Sequence, residues 1–145
     1  MRKAIFFAQV ILLLACVPTV RRLEHRPDLA AKAASDFAQV AFVDHDARRA
    51  YELLWEQGKA RVPLAEFEKA LVEMHPQGYP TEVSAVEYEP IFGQPAMNIF
   101  LHGVRGEEQY YYRIVVQGTA PTGYRVSDCL RGSGPYPPSP ARKPL

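Results

Sequence analysis

The 145-residue sequence predicts an α+β domain in which three helices precede a four-stranded antiparallel sheet. Apolar residues recur at helical spacing as far as His75, and beyond Pro80 the hydrophobic period changes to two. The second half is rich in Val, Ile, Tyr and Phe and is divided by breakers that contain glycine and proline. Because the links between these strands are short, we expect antiparallel neighbours packed on the helices.

The first helix is predicted to begin at Asp28, directly after Pro27, because these residue types are favoured at a helix start. Its apolar face is formed at helical spacing by Leu29, Ala33, Phe37, Val40 and Ala41. The turn Asp44-His45-Asp46 then interrupts the pattern, and either aspartate can cap the next helix.

The second helix is predicted from Ala47 to a stop at Gly58, and the third from Pro63 to His75. In the second helix, five residues share one face that is predicted to be buried: Ala47, Ala50, Tyr51, Leu54 and Trp55. The third helix has four side chains that are predicted to face the core: Leu64, Phe67, Leu71 and Met74. Both faces therefore predict helices that pack on the sheet.

The four strands are predicted over residues 81–89, 96–102, 109–116 and 124–130. Side chains alternate along each, but both faces of the two middle strands are partly apolar. One face is expected to pack on the helices. The other is more apolar than a solvated face usually is, which predicts a protein partner or a second copy of the chain there.

The start of the chain carries the features of a secretory signal. A basic Met1-Arg2-Lys3 precedes 12 mainly apolar residues, 4–15, which end in Leu13-Leu14-Ala15-Cys16. This ending resembles the lipobox of bacterial lipoproteins, in which the cysteine is diacylated and the chain is cut before it. The resemblance implies a signal peptide over residues 1–15, lipidation of Cys16 and a tether over residues 16–27.

The same resemblance implies a location in the bacterial cell envelope, with palmitate-type chains on Cys16 in a membrane. Val17 after the cysteine resembles the outer-membrane pattern, which implies the periplasmic face of that membrane in a host with two membranes. Two alternatives stay open. Cleavage elsewhere would release a soluble secreted protein, and residues 4–20 could remain as a membrane helix, although about 20 apolar residues are needed to span.

The remaining composition excludes several classes of function. Loss of residues 1–15 leaves 15 basic against 16 acidic side chains, which argues against nucleic acid as a partner. Cys129 would then have no disulfide partner and is expected to be a buried, inert thiol. Residues 131–145 hold five of the 13 prolines and are expected to form a disordered tail.

Residues 28–130, helices and sheet together, also resemble a known fold. Three helices before an antiparallel sheet, with Asp44, Ala50-Tyr51, Leu53-Leu54, Leu64 and Phe67, resemble the nuclear-transport-factor-2-like fold, and within it small envelope lipoproteins of unknown function. The resemblance implies a curved, cystatin-like sheet that closes into a cone around an apolar pocket. The residues expected to line that pocket are Tyr51, Trp55, Phe67, Phe100, His102 and Tyr112.

Catalytic members of that fold place Asp, His or Tyr inside the cone. The catalytic candidates of these residue types are Tyr51, Tyr88, His102, Tyr112 and Asp128, and no family motif maps onto them. The spacing of the histidines predicts no metal site, and no cofactor motif is found. The sequence therefore predicts a membrane-tethered, non-catalytic binding or interaction module of unknown ligand. The alternatives are a small cofactor-independent dehydratase or isomerase, or an accessory subunit of an envelope secretion machine.

Overall fold

The structure is a computed structural model and describes residues 23–145. Cys16 and the predicted signal peptide lie outside the described residues. Four α-helices come first in this part of the chain: α1 (Pro27–Ala38), α2 (Ala47–Glu52), α3 (Glu56–Lys59) and α4 (Leu64–Met74). A π-helical turn, Gln39–Val43, extends α1. The strands are β1 (Glu82–Pro90), β2 (Ala96–Arg105), β3 (Glu108–Thr119), β4 (Gly123–Gly132) and β5 (Lys143–Pro144).

The five strands form one antiparallel sheet in the order β4-β3-β2-β1-β5. Alternate side chains of β2 and β3 point into a core that they share with the helices, and we call this side the inner face. Its fully buried members include Met97, Ile99, Leu101, Tyr110, Tyr112, Ile114 and Val116. The opposite side, which carries Phe100, His102, Tyr111 and Arg113, is called the outer face.

The helices precede the sheet, but the predicted number of helices is wrong. The predicted second helix is interrupted after Glu52, so it becomes α2 and α3. The interruption has a tertiary cause, because the Trp55 N–H donates to the Val126 carbonyl at 2.7 Å and the Val126 N–H donates to the Leu53 carbonyl at 3.2 Å. These bonds attach residues 53–55 to the edge of β4 and replace the hydrogen bonds of a continuous helix.

The four predicted strands correspond to β1–β4, and the tail adds a short fifth strand, β5. Lys143 and Pro144 pair with Tyr88 and Glu87 of β1. Before β5, the Tyr136 ring lies edge-on to Phe100, with ring centroids 5.3 Å apart. Residues 131–145, expected to be disordered, thus pack on the outer face.

A β-bulge shapes the edge of the sheet next to the helices. Val116 pairs with Val126 while its neighbour Val115 pairs with Asp128, so Ser127 is an extra residue in β4. Such a bulge bends its strand and increases the local twist. The bend lies opposite α4, where the sheet and the helical layer enclose a cavity.

Candidate functional site

A cavity of about 200 Å³ lies between the α3–α4 segment and β4, and we call it the helix–strand cavity. Most of its lining is apolar and comes from both layers: Phe37, Leu54, Val62, Phe67, Ala70, Leu71, Met74 and Val126. Gly58 completes the helical side, and the polar lining comes from the β4 residues Ser127, Asp128 and Cys129. Val62 and Ala70 are exposed, which places them at the mouth of the cavity.

The helical wall follows from the spacing of apolar residues in α4. Phe67, Leu71 and Met74 recur at intervals of four and three residues, so they share one face of the helix. Aromatic neighbours on either side of Phe67 fix its ring, since its centroid lies 6.3 Å from that of Phe37 and 5.6 Å from that of Tyr51. The wall is therefore formed by packed side chains of a regular helix.

The entrance loop between α3 and α4 is held by a tyrosine. The Tyr51 hydroxyl lies 2.7 Å from the Val62 carbonyl oxygen and 3.0 Å from that of Lys59. Both carbonyls can only accept, so the hydroxyl donates to this loop. Tyr51 thus positions Val62 at the mouth without lining the cavity itself.

The polar side of the cavity carries little chemical reactivity. Burial raises the pKa of the Cys129 thiol far above its usual range, so the thiol stays protonated at neutral pH. A protonated thiol is a poor nucleophile and a poor metal ligand. The Asp128 carboxylate accepts the Cys129 N–H at 2.9 Å, and residues 23–145 contain no cluster of three side chains suited to a metal ion.

A buried histidine lies beside this site, and the sequence did not single it out for any role. His75 is only 4% exposed. Its Nδ1 lies 2.8 Å from the Leu71 carbonyl oxygen and its Nε2 lies 2.8 Å from the Tyr112 hydroxyl. Because the carbonyl only accepts, Nδ1 carries the proton and Nε2 accepts from Tyr112. The sequence signal for His75 was limited to His75-Pro76 at a helix end, and no local pattern pairs it with Tyr112, which was predicted to line a pocket.

Both partners of this pair are held uncharged. Burial lowers the pKa of His75, the hydrogen bond to the Leu71 carbonyl partly opposes this, and Arg131 and His45 add smaller lowering contributions. Burial also raises the pKa of Tyr112 far above its usual range. Aromatic rings surround the imidazole, with Tyr79 stacked at 4.3 Å and Phe42 at 5.0 Å between centroids. His75 and Tyr112 lie outside the cavity lining, so this pair is a structural part of the core.

The six residues predicted to line a pocket are not brought together. Phe67 lines the helix–strand cavity, whereas Tyr51 packs behind it. Trp55 is half-buried at the start of α3, and Tyr112 is buried in the core. The other two, Phe100 and His102, lie on the outer face. Of the five catalytic candidates, Asp128 is the one that lines the cavity within the described chain.

A separate groove of about 340 Å³ lies on the outer face, between the sheet and the tail. The Arg142 guanidinium covers the Phe100 ring at 3.8 Å from its centroid and lies 3.5 Å from the Glu87 carboxylate. Phe100 is consequently only 4% exposed although it faces away from the helices. The apolar character of this face is thus accounted for in part by the chain's own tail.

No protein-family model, curated protein or solved structure matches this chain. Within residues 23–145, no helix combines the length and apolar character needed to cross a membrane. The nuclear-transport-factor-2-like and lipoprotein resemblances therefore stay predictions, and function has to be inferred from the side chains themselves.

Proposed function

We propose that this protein is a membrane-tethered, non-catalytic binding module whose helix–strand cavity takes a small apolar ligand. The apolar lining of that cavity carries the proposal. Its volume of about 200 Å³ is smaller than the range of about 300–1,000 Å³ typical of drug-sized ligands. It exceeds an apolar cavity of about 150 Å³ that binds benzene. The ligand class is therefore a single aromatic ring or a short alkyl group.

The polar groups of the cavity support binding over catalysis. General acid–base chemistry needs a titrating group, most often with a second group that orients it, within reach of the substrate. Among the described residues, the cavity offers one carboxylate, Asp128, and one thiol, Cys129, that burial keeps protonated. His75 donates to Leu71 and accepts from Tyr112, so its ring nitrogens are already occupied. A dehydratase or isomerase gains no support from this arrangement.

The membrane tether rests on Leu13-Leu14-Ala15-Cys16. A single acyl chain binds a membrane only marginally, whereas two or more hold firmly. Diacylation of Cys16 would therefore keep the domain on the surface of an envelope membrane, with residues 17–22 as the link to the described chain.

Ligand binding can be tested by thermal unfolding of the full chain with and without toluene. A ligand that binds only the folded state stabilises it by about 1.4 kcal/mol at ten times its Kd. We expect the native protein to unfold at a higher temperature when toluene is present. The matched variants are Ala70→Leu, which fills the mouth of the cavity, and Ala65→Leu, an exposed site on the same helix outside the lining.

Only the Ala70→Leu protein should lose the rise in Tm. Equal rises in both variants, or no rise in the native protein, would contradict binding in the helix–strand cavity.

Lipidation can be tested by labelling with radioactive palmitate in a bacterial host. The two cysteines of the chain, Cys16 and Cys129, provide a matched pair. We expect Cys16→Ser to abolish the label and Cys129→Ser to retain it. Label that persists in Cys16→Ser would rule out the tether and leave the cavity proposal to its own test.

A further inference from the structure

We propose that one end of the sheet forms a second membrane contact in which the Phe92 side chain enters the lipid surface. We call this region the uncharged end, and it consists of the β1–β2 turn (residues 91–95) and the β3–β4 turn (residues 119–123). The inference rests on the proposed lipid tether at Cys16. It assigns an interaction surface to a part of the molecule that lies outside both the helix–strand cavity and the groove on the outer face.

Phe92 is unusual among the large apolar side chains because it is fully exposed. It occupies the tip of the turn Ile91-Phe92-Gly93-Gln94-Pro95, which contains no charged residue. Gly93 has a φ of 72°, which a glycine adopts freely, so the chain can turn tightly directly after Phe92. Phe is among the side chains that membrane-surface segments bury at the lipid interface, and an uncharged turn brings no charge that would have to be desolvated there.

The second turn extends the uncharged surface. The Gly118 N–H donates to the Pro95 carbonyl at 2.7 Å, which joins the two hairpins side by side. The β3–β4 turn reads Thr119-Ala120-Pro121-Thr122-Gly123 and also carries no charge. The opposite end of the sheet differs, because its β2–β3 turn, residues 105–108, holds one arginine and two glutamates.

The chain enters the domain beside the β3–β4 turn. The Arg26 N–H donates to the Tyr124 hydroxyl at 3.0 Å, and Tyr124 pairs with Gly118 across β3 and β4. Asp28, which lies beside this entry, is paired with the Arg26 guanidinium at 2.7 Å. The side of the domain that leads toward Cys16 therefore coincides with the side that presents Phe92.

The length of the link favours a lipid surface as the occupant. Arg26 lies ten residue steps after Cys16, and an extended chain spans at most about 3.5 Å per step, or about 35 Å in all. A lipid-held Cys16 thus keeps the uncharged end within about 35 Å of the bilayer, and insertion of Phe92 would place the charged β2–β3 turn about one strand length farther away. Acyl chains at Cys16 provide the anchorage, so Phe92 would set the orientation of the domain.

The depth of Phe92 can be measured by tryptophan fluorescence. Trp55 is the single tryptophan of the chain, so Trp55→Phe gives a silent background. In this background the full lipidated chain carries either Phe92→Trp or, as a matched control at the charged turn, Glu107→Trp. Each protein is reconstituted into phosphatidylcholine vesicles whose acyl chains are brominated.

We expect the Phe92→Trp indole to lose about half of its emission, because interfacial side chains reach about 5–10 Å into the acyl boundary. The Glu107→Trp indole should keep its emission. Palmitate labelling of the same samples separates two kinds of failure. Labelled protein with an unquenched Phe92→Trp indole would overturn the insertion alone and point to water or a protein partner at this end. Unlabelled protein would overturn the tether and the insertion together.

Discussion

Phe42 on the inner side of the sheet and Phe100 on its outer face are buried to a similar extent by different means. Phe42 packs against the inner face and is fully buried among Phe37, His75 and Tyr112. Phe100 on the outer face is 4% exposed, yet its cover is a proline-rich segment that contributes Tyr136 and Arg142. Phe42 is covered by packed helices and strands, whereas Phe100 is covered by the irregular tail. Equal burial of the two side chains therefore does not imply that they contribute equally to the free energy of unfolding.

The largest effect is expected on the inner face. Phe42→Ala should lower the free energy of unfolding by about 3–5 kcal/mol, because rigid neighbours on all sides prevent the cavity from collapsing. Phe100→Ala should cost less, since the tail can settle onto the shortened side chain. Urea unfolding of both variants gives the comparison. Equal losses would mean that the tail is as rigid as the helices.

Removal of the tail is expected to have the next largest effect. A chain that stops after Gly132 exposes Phe100, and burial of one such side chain contributes about 1.5–3 kcal/mol. Phe100→Ala should then add little in the shortened protein, because the contact it removes is already lost. The double-mutant cycle is read from urea midpoints. A change below about 0.5 kcal/mol on truncation would support the expectation of a disordered tail.

Within the tail, Arg142 should carry much of the attachment. Its guanidinium lies 3.8 Å from the Phe100 ring centroid, and its side chain is 9% exposed. Desolvated cation–π contacts contribute up to about 2 kcal/mol, so Arg142→Ala should destabilise by about 1–2 kcal/mol. Arg142→Lys keeps the charge near Glu87 but loses the planar group that lies over the ring. Full stability in Arg142→Ala would leave Tyr136 as the main contact.

Acid should weaken the inner face through His75. Burial lowers its pKa in the folded state below the ordinary 6.5, so the folded protein binds this proton more weakly than the unfolded chain. Stability is therefore retained above pH 6.5 and falls as the pH drops from 6.5 toward the lowered pKa, by at most about 1.4 kcal/mol per pH unit. Unfolding between about pH 7.5 and about pH 5 measures the slope.

His75→Gln, which cannot titrate there, should flatten this dependence at a lower overall stability. A slope unchanged in His75→Gln would assign the effect to another group.

The smallest effect on stability is expected on the outer face at His102, beside the area that the tail covers. His102 shares a strand with Phe100 but is only half-buried, with its Nε2 hydrogen-bonded to Gln109. His102→Ala should change the free energy of unfolding by less than about 0.5 kcal/mol, as surface substitutions do. A much larger loss in urea unfolding would show that the outer face is stabilised beyond the area under Arg142.

The sequence predicted the regular elements well where local patterns decide the structure. The strand predicted over residues 96–102 corresponds to β2, and the third helix corresponds to α4. The interruption at residues 53–55 escaped prediction, because its hydrogen bonds to Val126 join residues about 70 positions apart. Helical spacing in that segment placed Trp55 on a buried face, whereas the tertiary contact leaves it half-buried.

The tail and the site escaped prediction for a related reason. Few periodic apolar residues occur in residues 131–145, and the attachment depends on Arg142, whose charge suggests solvent. The excess apolar character of the outer face was the available signal that something covers it. In the cavity, Phe67 and Met74 were predicted from their helical face, but Cys129 adjoins them through the tertiary packing of β4 against α4, which no local pattern reveals.

The short strand β5 also affects whether the strand of another molecule can pair with the β1 edge of the sheet. Without it, the nine residues of β1 would form an open edge of backbone donors and acceptors, which invites pairing between chains and aggregation. β5 is two residues long, and Pro144 has no N–H to donate. β5 therefore covers this edge at Glu87 and Tyr88 and offers a neighbouring chain few donors there, which hinders pairing between chains along the middle of β1.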